Sequence, residues 1–115
     1  MYDIAIIGGG PAGLAAGLYG ARGGMDTVLL ENMLVGGQIT KTTQVDNYPG
    51  FPDGIDGFAI GTNMQKQAER FGLEIKRTGV DSVELEGEIK RLHCGREVIE
   101  AKAVIIATGA HPKKL

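Results

Sequence analysis

Residues 8–13 read Gly-Gly-Gly-Pro-Ala-Gly and fit the pattern Gly-x-Gly-x-x-Gly at Gly8, Gly10 and Gly13. The chemistry this spacing serves is the holding of a dinucleotide pyrophosphate. Gly8 permits a tight turn, Gly10 has no Cβ and lets the main chain approach a phosphate, and Gly13 lets the following helix pack close to a sheet. Pro11 and Ala12 open that helix, whose unpaired N–H groups and partial positive charge favour an anion. Glu31 lies 18 residues beyond Gly13. A carboxylate there can accept both hydroxyls of an adenosine ribose and would repel a 2′-phosphate, which argues against NADP at this first site. Taken singly, the glycine turn is also compatible with a purely structural role, and Glu31 with a solvated strand-end charge.

Other polar residues offer weaker chemistry. Gln38 and Asn47 carry neutral donors and acceptors suited to ring edges and hydroxyls, or simply loop polarity. Gly36-Gly37 lets main chain come close to a flat ring. Thr108-Gly109 is a strand-end turn or a ligand contact. Tyr48-Pro49-Gly50-Phe51 reads as a rigid packed turn. Cys94 stands beside His93, but consecutive strand residues point to opposite faces, so a structural or surface cysteine is expected rather than a nucleophile. His111, next to Pro112, reads as an exposed terminal residue.

The elements that must position these residues follow from patterning. Tyr2–Ile7 is an isoleucine-rich run that stops at three glycines, as a strand buried on both faces does. Leu14, Leu18 and Ala21 recur at helical spacing after Pro11, and Gly23-Gly24 suits the helix end. Asp26–Glu31 is a second strand, so residues 1–31 form one βαβ unit. Residues 32–56 keep no period, and a loop of that length in a compact domain is usually functional or disordered. Tyr48 and Phe51 give it something to pack with, which favours an ordered functional loop. A second helix is predicted from about Gly57 to Phe71, on the stripe Ile60, Met64, Ala68 and Phe71. Leu73–Lys76 is a third strand. Val80–Leu85, Ile89–His93 and Val98–Ala101 read as an antiparallel meander with one wet face, and Ala103–Ala107 as a separate buried strand. The fold class is α/β: a Rossmann-like βαβ parallel sheet with an antiparallel β-meander.

Composition bounds the function. The chain has 115 residues, enough for one core, and glycine supplies 19 of them, 14 within residues 1–61. The net charge of −2, with neither half carrying a basic stripe, excludes an evident nucleic-acid or anionic-membrane surface. One cysteine and two histidines exclude an internal disulfide and a cysteine-rich metal cluster, and no metal is expected. No apolar run reaches the roughly eighteen residues of a membrane span, and no signal peptide precedes the first strand. The expected setting is the cytoplasm.

The order Gly8–Gly13, Glu31, Gly36-Gly37-Gln38 with the threonines behind it, Val45-Asp46-Asn47-Tyr48-Pro49-Gly50-Phe51, and Ile105-Ile106-Ala107-Thr108-Gly109-Ala110 resembles the first FAD segment of low-molecular-weight thioredoxin reductases. The resemblance covers essentially the whole chain. It implies that Gly8, Gly10, Pro11, Ala12 and Gly13 line the FAD pyrophosphate and that Glu31 binds the adenosine ribose. It also implies that Gly36, Gly37, Gln38 and Asn47 lie near the ribityl chain and flavin. The resemblance further implies that Val80 meets the adenine through its main chain and that Ala107, Thr108 and Gly109 close over the cofactor.

The resemblance also sets expectations about what lies elsewhere. Complete members carry an NADPH domain with a Cys-x-x-Cys and a second FAD segment, and act on a thioredoxin-like protein. Residues 1–115 are therefore expected to be a single, incomplete FAD-binding domain with no catalytic residue of its own. An uncovered sheet edge and apolar surface are expected to invite self-association or a complementing segment. Two other readings stay open. One is a ferredoxin/flavodoxin–NADP reductase of the same architecture. The other is a non-catalytic nucleotide-binding module that assembles by oligomerisation.

Overall fold

A computed structural model describes residues 1–33, 35–37 and 44–109. Gln38, the threonines that follow it, Ala110 and His111 lie outside the described residues.

The order of elements is β1 (Tyr2–Ile7), α1 (Pro11–Arg22), β2 (Thr27–Leu30), α2 (Gly57–Arg70), β3 (Glu74–Lys76), β4 (Ser82–Glu84), β5 (Lys90–Cys94) and β6 (Glu97–Ile106). They build a six-stranded sheet in the order β3-β2-β1-β6-β5-β4. The pairs β1–β2, β2–β3 and β1–β6 are parallel, and β4–β5 and β5–β6 are antiparallel.

The predicted meander and buried strand need two corrections, the first being that Ala103, Ile105 and Ile106 are exposed rather than buried. The second is that Val98–Ala101 and Ala103–Ala107 are not two strands but parts of one ten-residue strand, β6. Its first part pairs with β5, from Glu97 opposite Cys94 to Ala101 opposite Lys90. Ala101 also stands opposite Tyr2, and pairing with β1 continues from there to Ile106 opposite Ile7. The hydrophobic pattern breaks at Lys102 because the neighbours change there, not because the strand ends. The first meander strand is also shorter than predicted, Ser82–Glu84, and β3 begins at Glu74.

The two faces of the sheet carry separate cores. On the helix side Ile6, Leu14, Ala21, Leu29, Val35, Ala68 and Leu73 pack together, joined by Met64 and Phe71 of the predicted α2 stripe. On the other side Ala5, Val28 and Leu30 meet Leu92, Cys94, Ile99 and Ala101, so the meander is folded over the back of the parallel strands. All four residues of β2 are buried, which explains its unbroken apolar run. Truncating a fully buried leucine such as Leu29 in such a core costs about 2–5 kcal/mol.

Helix ends follow local chemistry. Asp56 caps α2, its carboxylate accepting the Ala59 N–H at 3.0 Å. Helix α1 has Gly10 at its N-cap with no side-chain cap and no acidic residue in its first turn. Among the described residues, no side chain caps the first turn of α1 at the carboxyl edge of the parallel sheet.

Candidate functional site

The site is assembled where β1, β2 and β6 end and α1 begins. β1 has β2 on one side and β6 on the other, so the chain leaves it in one direction and returns on the opposite flank. Ligands of open α/β sheets bind at such a switch point.

The three motif glycines have distinct surroundings. Gly8 adopts φ +114°, and a Cβ on it would lie 2.0 Å from the Ala107 carbonyl oxygen. A Cβ on Gly13 would lie 1.9 Å from the Gly8 carbonyl oxygen. Both are therefore required by the protein's own packing. Gly10 is different. Its φ of −77° suits any residue, and a Cβ on it would meet only the Gly37 Cα, at 3.8 Å. Among the described residues, no other atom enters the space that the missing side chain leaves. A cradle that a Cβ would fill, facing the open end of a helix, fits the close approach of a phosphate.

Glu31 follows β2 directly and is half-buried. One of its carboxylate oxygens accepts the Gly9 N–H at 2.9 Å and the other the Met33 N–H at 3.1 Å. Each oxygen retains acceptor capacity for a hydroxyl. Gly9 is gripped from the other side as well, because its carbonyl accepts the Gly36 N–H at 2.6 Å. Buried Val35 and Gly36 are thereby laid against the glycine turn. Gly37 (φ +67°) stacks main chain on main chain with Gly10, where a Cβ would come within 2.9 Å of the Gly10 Cα.

The next parallel strand closes the flank. The Ala107 N–H donates to the Ile7 carbonyl at 2.8 Å, and Ala107 and Thr108 lie against Gly8. Thr108 and Gly109 are exposed. Val80 is half-buried against the meander-side core, and its neighbour Gly79 lies under the side chain of Asn32. Asn47 is exposed on the 44–56 segment, away from any hydrogen bond to the glycine turn among the described residues. That segment is tied by a Val45–Ile55 bridge, and the Tyr48 and Phe51 rings face each other at 6.2 Å, a packed turn as the sequence suggests. Thus Gly8, Gly10, Pro11, Ala12, Gly13, Glu31, Gly36, Gly37, Ala107 and Thr108 are gathered at one edge. Gln38 lies outside the described residues.

Sequence reasoning passed over Gly9, Asn32 and Met33. Gly9 and Met33 act through their main-chain N–H groups, which no residue type announces. The signal available was positional: Gly9 is the variable residue between the first two motif glycines.

Titratable groups shifted by the fold lie outside this cluster. Burial, then the hydrogen bond to Glu74, pushes the Tyr2 hydroxyl up to about 12. Burial raises the Cys94 thiol above its ordinary value, and its Sγ is enclosed in the meander-side core. The Glu97 carboxylate raises Lys76. Among the described residues no group of three or more His, Cys, Asp or Glu is placed to hold a metal ion, and no helix is long and apolar enough to cross a membrane.

Fold and site together define an α/β protein with a glycine turn of the dinucleotide-binding type. Comparison with known proteins makes the assignment finer. Residues 2–115 match the family model described as pyridine nucleotide-disulphide oxidoreductase, and the chain belongs to that family. It is 51% identical over 113 residues to a thioredoxin reductase of Peptoclostridium litorale, covering 98% of this chain and 36% of that one. The crystal structure of Lactococcus lactis thioredoxin reductase superposes with a TM-score of 0.95 at 39% identity, over 100% of this chain and 38% of that one. A ferredoxin-flavin thioredoxin reductase from Clostridium acetobutylicum superposes at 0.88 with 31% identity, over 99% of this chain and 39% of that one. The chain thus spans little more than a third of the length of the relatives it matches.

Proposed function

We propose that this chain is the FAD-binding part of an NADPH-dependent flavoprotein disulfide reductase of the thioredoxin reductase type. The observation that carries the reading is the unused space at Gly10, flanked by the open N-terminus of α1 and the Glu31 carboxylate. Gly8, Gly10, Pro11, Ala12 and Gly13 would hold the pyrophosphate, and Glu31 the adenosine ribose. Val80 would meet the adenine, Gly36, Gly37, Gln38 and Asn47 the ribityl chain and flavin, and Ala107, Thr108 and Gly109 the flank. Bound flavin supplies hydride acceptance and its relay as electrons, chemistry that no side chain here performs.

The residues of this chain bind and orient; none is proposed as catalytic. Cys94, its one cysteine, is buried in the core and suited to packing. The NADPH site, the dithiol and the surface for a thioredoxin-like protein disulfide would then belong to further sequence of the kind the relatives carry. The cytoplasm is the proposed setting, and residues 1–115 are read as one incomplete FAD-binding domain.

The Clostridium acetobutylicum likeness favours a second reading at one point, the electron donor. That protein's description names ferredoxin, which makes a donor other than NADPH the second reading. A third proposal concerns assembly. Ile105 and Ile106 of β6 are exposed, and among the described residues 102–106 pair only with β1. A complementing segment or a second copy would cover them.

Calorimetric titration of the purified chain with FAD and with ADP tests the proposal. One FAD bound per chain, with a yellow protein after desalting, is expected. Binding of ADP without FAD would favour the non-catalytic module, and binding of neither would contradict the reading.

A further inference from the structure

We propose that the Glu31 carboxylate is a latch that sets the glycine turn before any ligand arrives, in addition to gripping a ribose. The inference rests on the dinucleotide reading above and adds a positioning role to the same residue. Glu31 joins the ends of two strands. Through one oxygen it holds the Gly9 N–H in the turn after β1, and through the other the Met33 N–H in the bend after β2. Gly9 passes the restraint on, since its carbonyl takes the Gly36 N–H of the segment that lies across Gly10. Glu31 thus holds the Gly9 N–H while Gly36 holds the Gly9 carbonyl, and the two together fix the main chain on either side of the phosphate cradle. Gly9 is buried, and its position leaves the Glu31 stem close by: a Cβ there would be 3.0 Å from the Glu31 Cβ. The latch is packed as well as hydrogen-bonded.

The chemistry requires a carboxylate specifically. Two N–H groups need two acceptors. A glutamine in the same place presents one oxygen and one NH₂, and in either orientation one main-chain donor faces another donor. The turn must then move or leave an N–H unsatisfied in a half-buried position. A residue acting only on the ribose would leave the turn unchanged when neutralised.

The test uses Glu31→Gln in the full chain and has two arms. In the first, without ligand, amide exchange and chemical shifts are followed by NMR. The latch expects the Gly9 and Met33 amides to exchange at least about tenfold faster and to move in shift, while core amides of Ala5 and Val28 keep their protection. Unchanged Gly9 and Met33 amides would overturn it. Equal loss of protection at Ala5 and Val28 would also overturn it, since that reports general destabilisation. In the second arm, ADP and its 2′,3′-dideoxy analogue are titrated into both proteins. The analogue has no ribose hydroxyls for the carboxylate to hold. The latch expects the substitution to weaken the analogue too, by about tenfold. A loss confined to ADP would overturn it. Failure of ADP to bind the unmodified chain would instead sink the dinucleotide reading, and the ligand-free arm separates that failure from this one.

Discussion

At the scale of single residues, the glycines of one motif answer to different forces. Gly8 and Gly13 are demanded by protein atoms, Gly10 by none among the described residues. Gly13→Ala should therefore destabilise the fold by about 1–3 kcal/mol, the scale of a forced overpacking, measured by urea denaturation. An unchanged midpoint would mean the turn relaxes around the new methyl. Glu31→Ala should weaken ADP by about 1–3 kcal/mol in calorimetry, the scale of a lost charge-assisted hydrogen bond. The grouping of the candidate residues was legible at this scale where residue type and spacing carry it. Gly8, Gly10, Gly13 and Glu31 stand together as their spacing implies. The clamp on Glu31 was not legible, because the amides of Gly9 and Met33 look the same whatever the side chains. The role of Asn47 was not resolved by position, since it lies exposed on a packed turn.

At the scale of elements, β2 was legible because burial on both faces removes polar residues from it, whereas Ala103–Ile106, equally apolar and expected to be buried, is largely exposed. The change of partners in β6 was read as a strand end. Periodicity reports which faces are wet, not which edge is paired, so a strand that passes from β5 to β1 looks like two. The fold of the meander over the parallel sheet was also hidden, since it depends on contacts distant in sequence. The Tyr2 hydroxyl donates to Glu74 at 2.6 Å, and Lys76 pairs with Glu97 at 2.7 Å, linking β3 to β1 and β6. The Tyr2 proton is held more tightly in the folded chain, with its pKa moved from 10.0 to about 12. The folded state thus binds more protons than the unfolded one across that interval. This contribution to stability is whole below pH 10 and is lost as pH rises towards about 12. Lys76, also raised, acts in the same alkaline direction. Tyr2→Phe should flatten the alkaline fall of stability in denaturation curves collected at stepped pH. An unchanged slope would show that the Tyr2–Glu74 bond carries none of it. Cys94, beneath this clasp, should react slowly with a thiol reagent in the native chain and rapidly in denaturant. Rapid native labelling would place the meander off the sheet.

At the scale of the whole molecule, the sheet is finished on some sides and open on others. The helices cover β1 and β2, and the meander covers their backs, yet Ile105 and Ile106 remain exposed on a half-paired strand. Sedimentation velocity over a range of concentrations should show self-association of the isolated chain that Ile105→Lys reduces. A strictly monomeric chain at every concentration would limit the open surface to a role within longer relatives. What the molecule retains in isolation is the edge proposed to hold an adenosine diphosphate group. The glycine turn, Glu31 and the end of β6 are placed by the βαβ core and its neighbouring strand.

The most direct measurement is a paired titration of FAD into the unmodified chain and Gly10→Ala, with thermal unfolding of both recorded beside it. The alanine methyl would sit 3.8 Å from its nearest neighbour among the described residues, so the melting temperatures should agree while FAD affinity falls at least about tenfold. Equal affinity at equal stability would show that no phosphate lies against Gly10 and would contradict the proposed site.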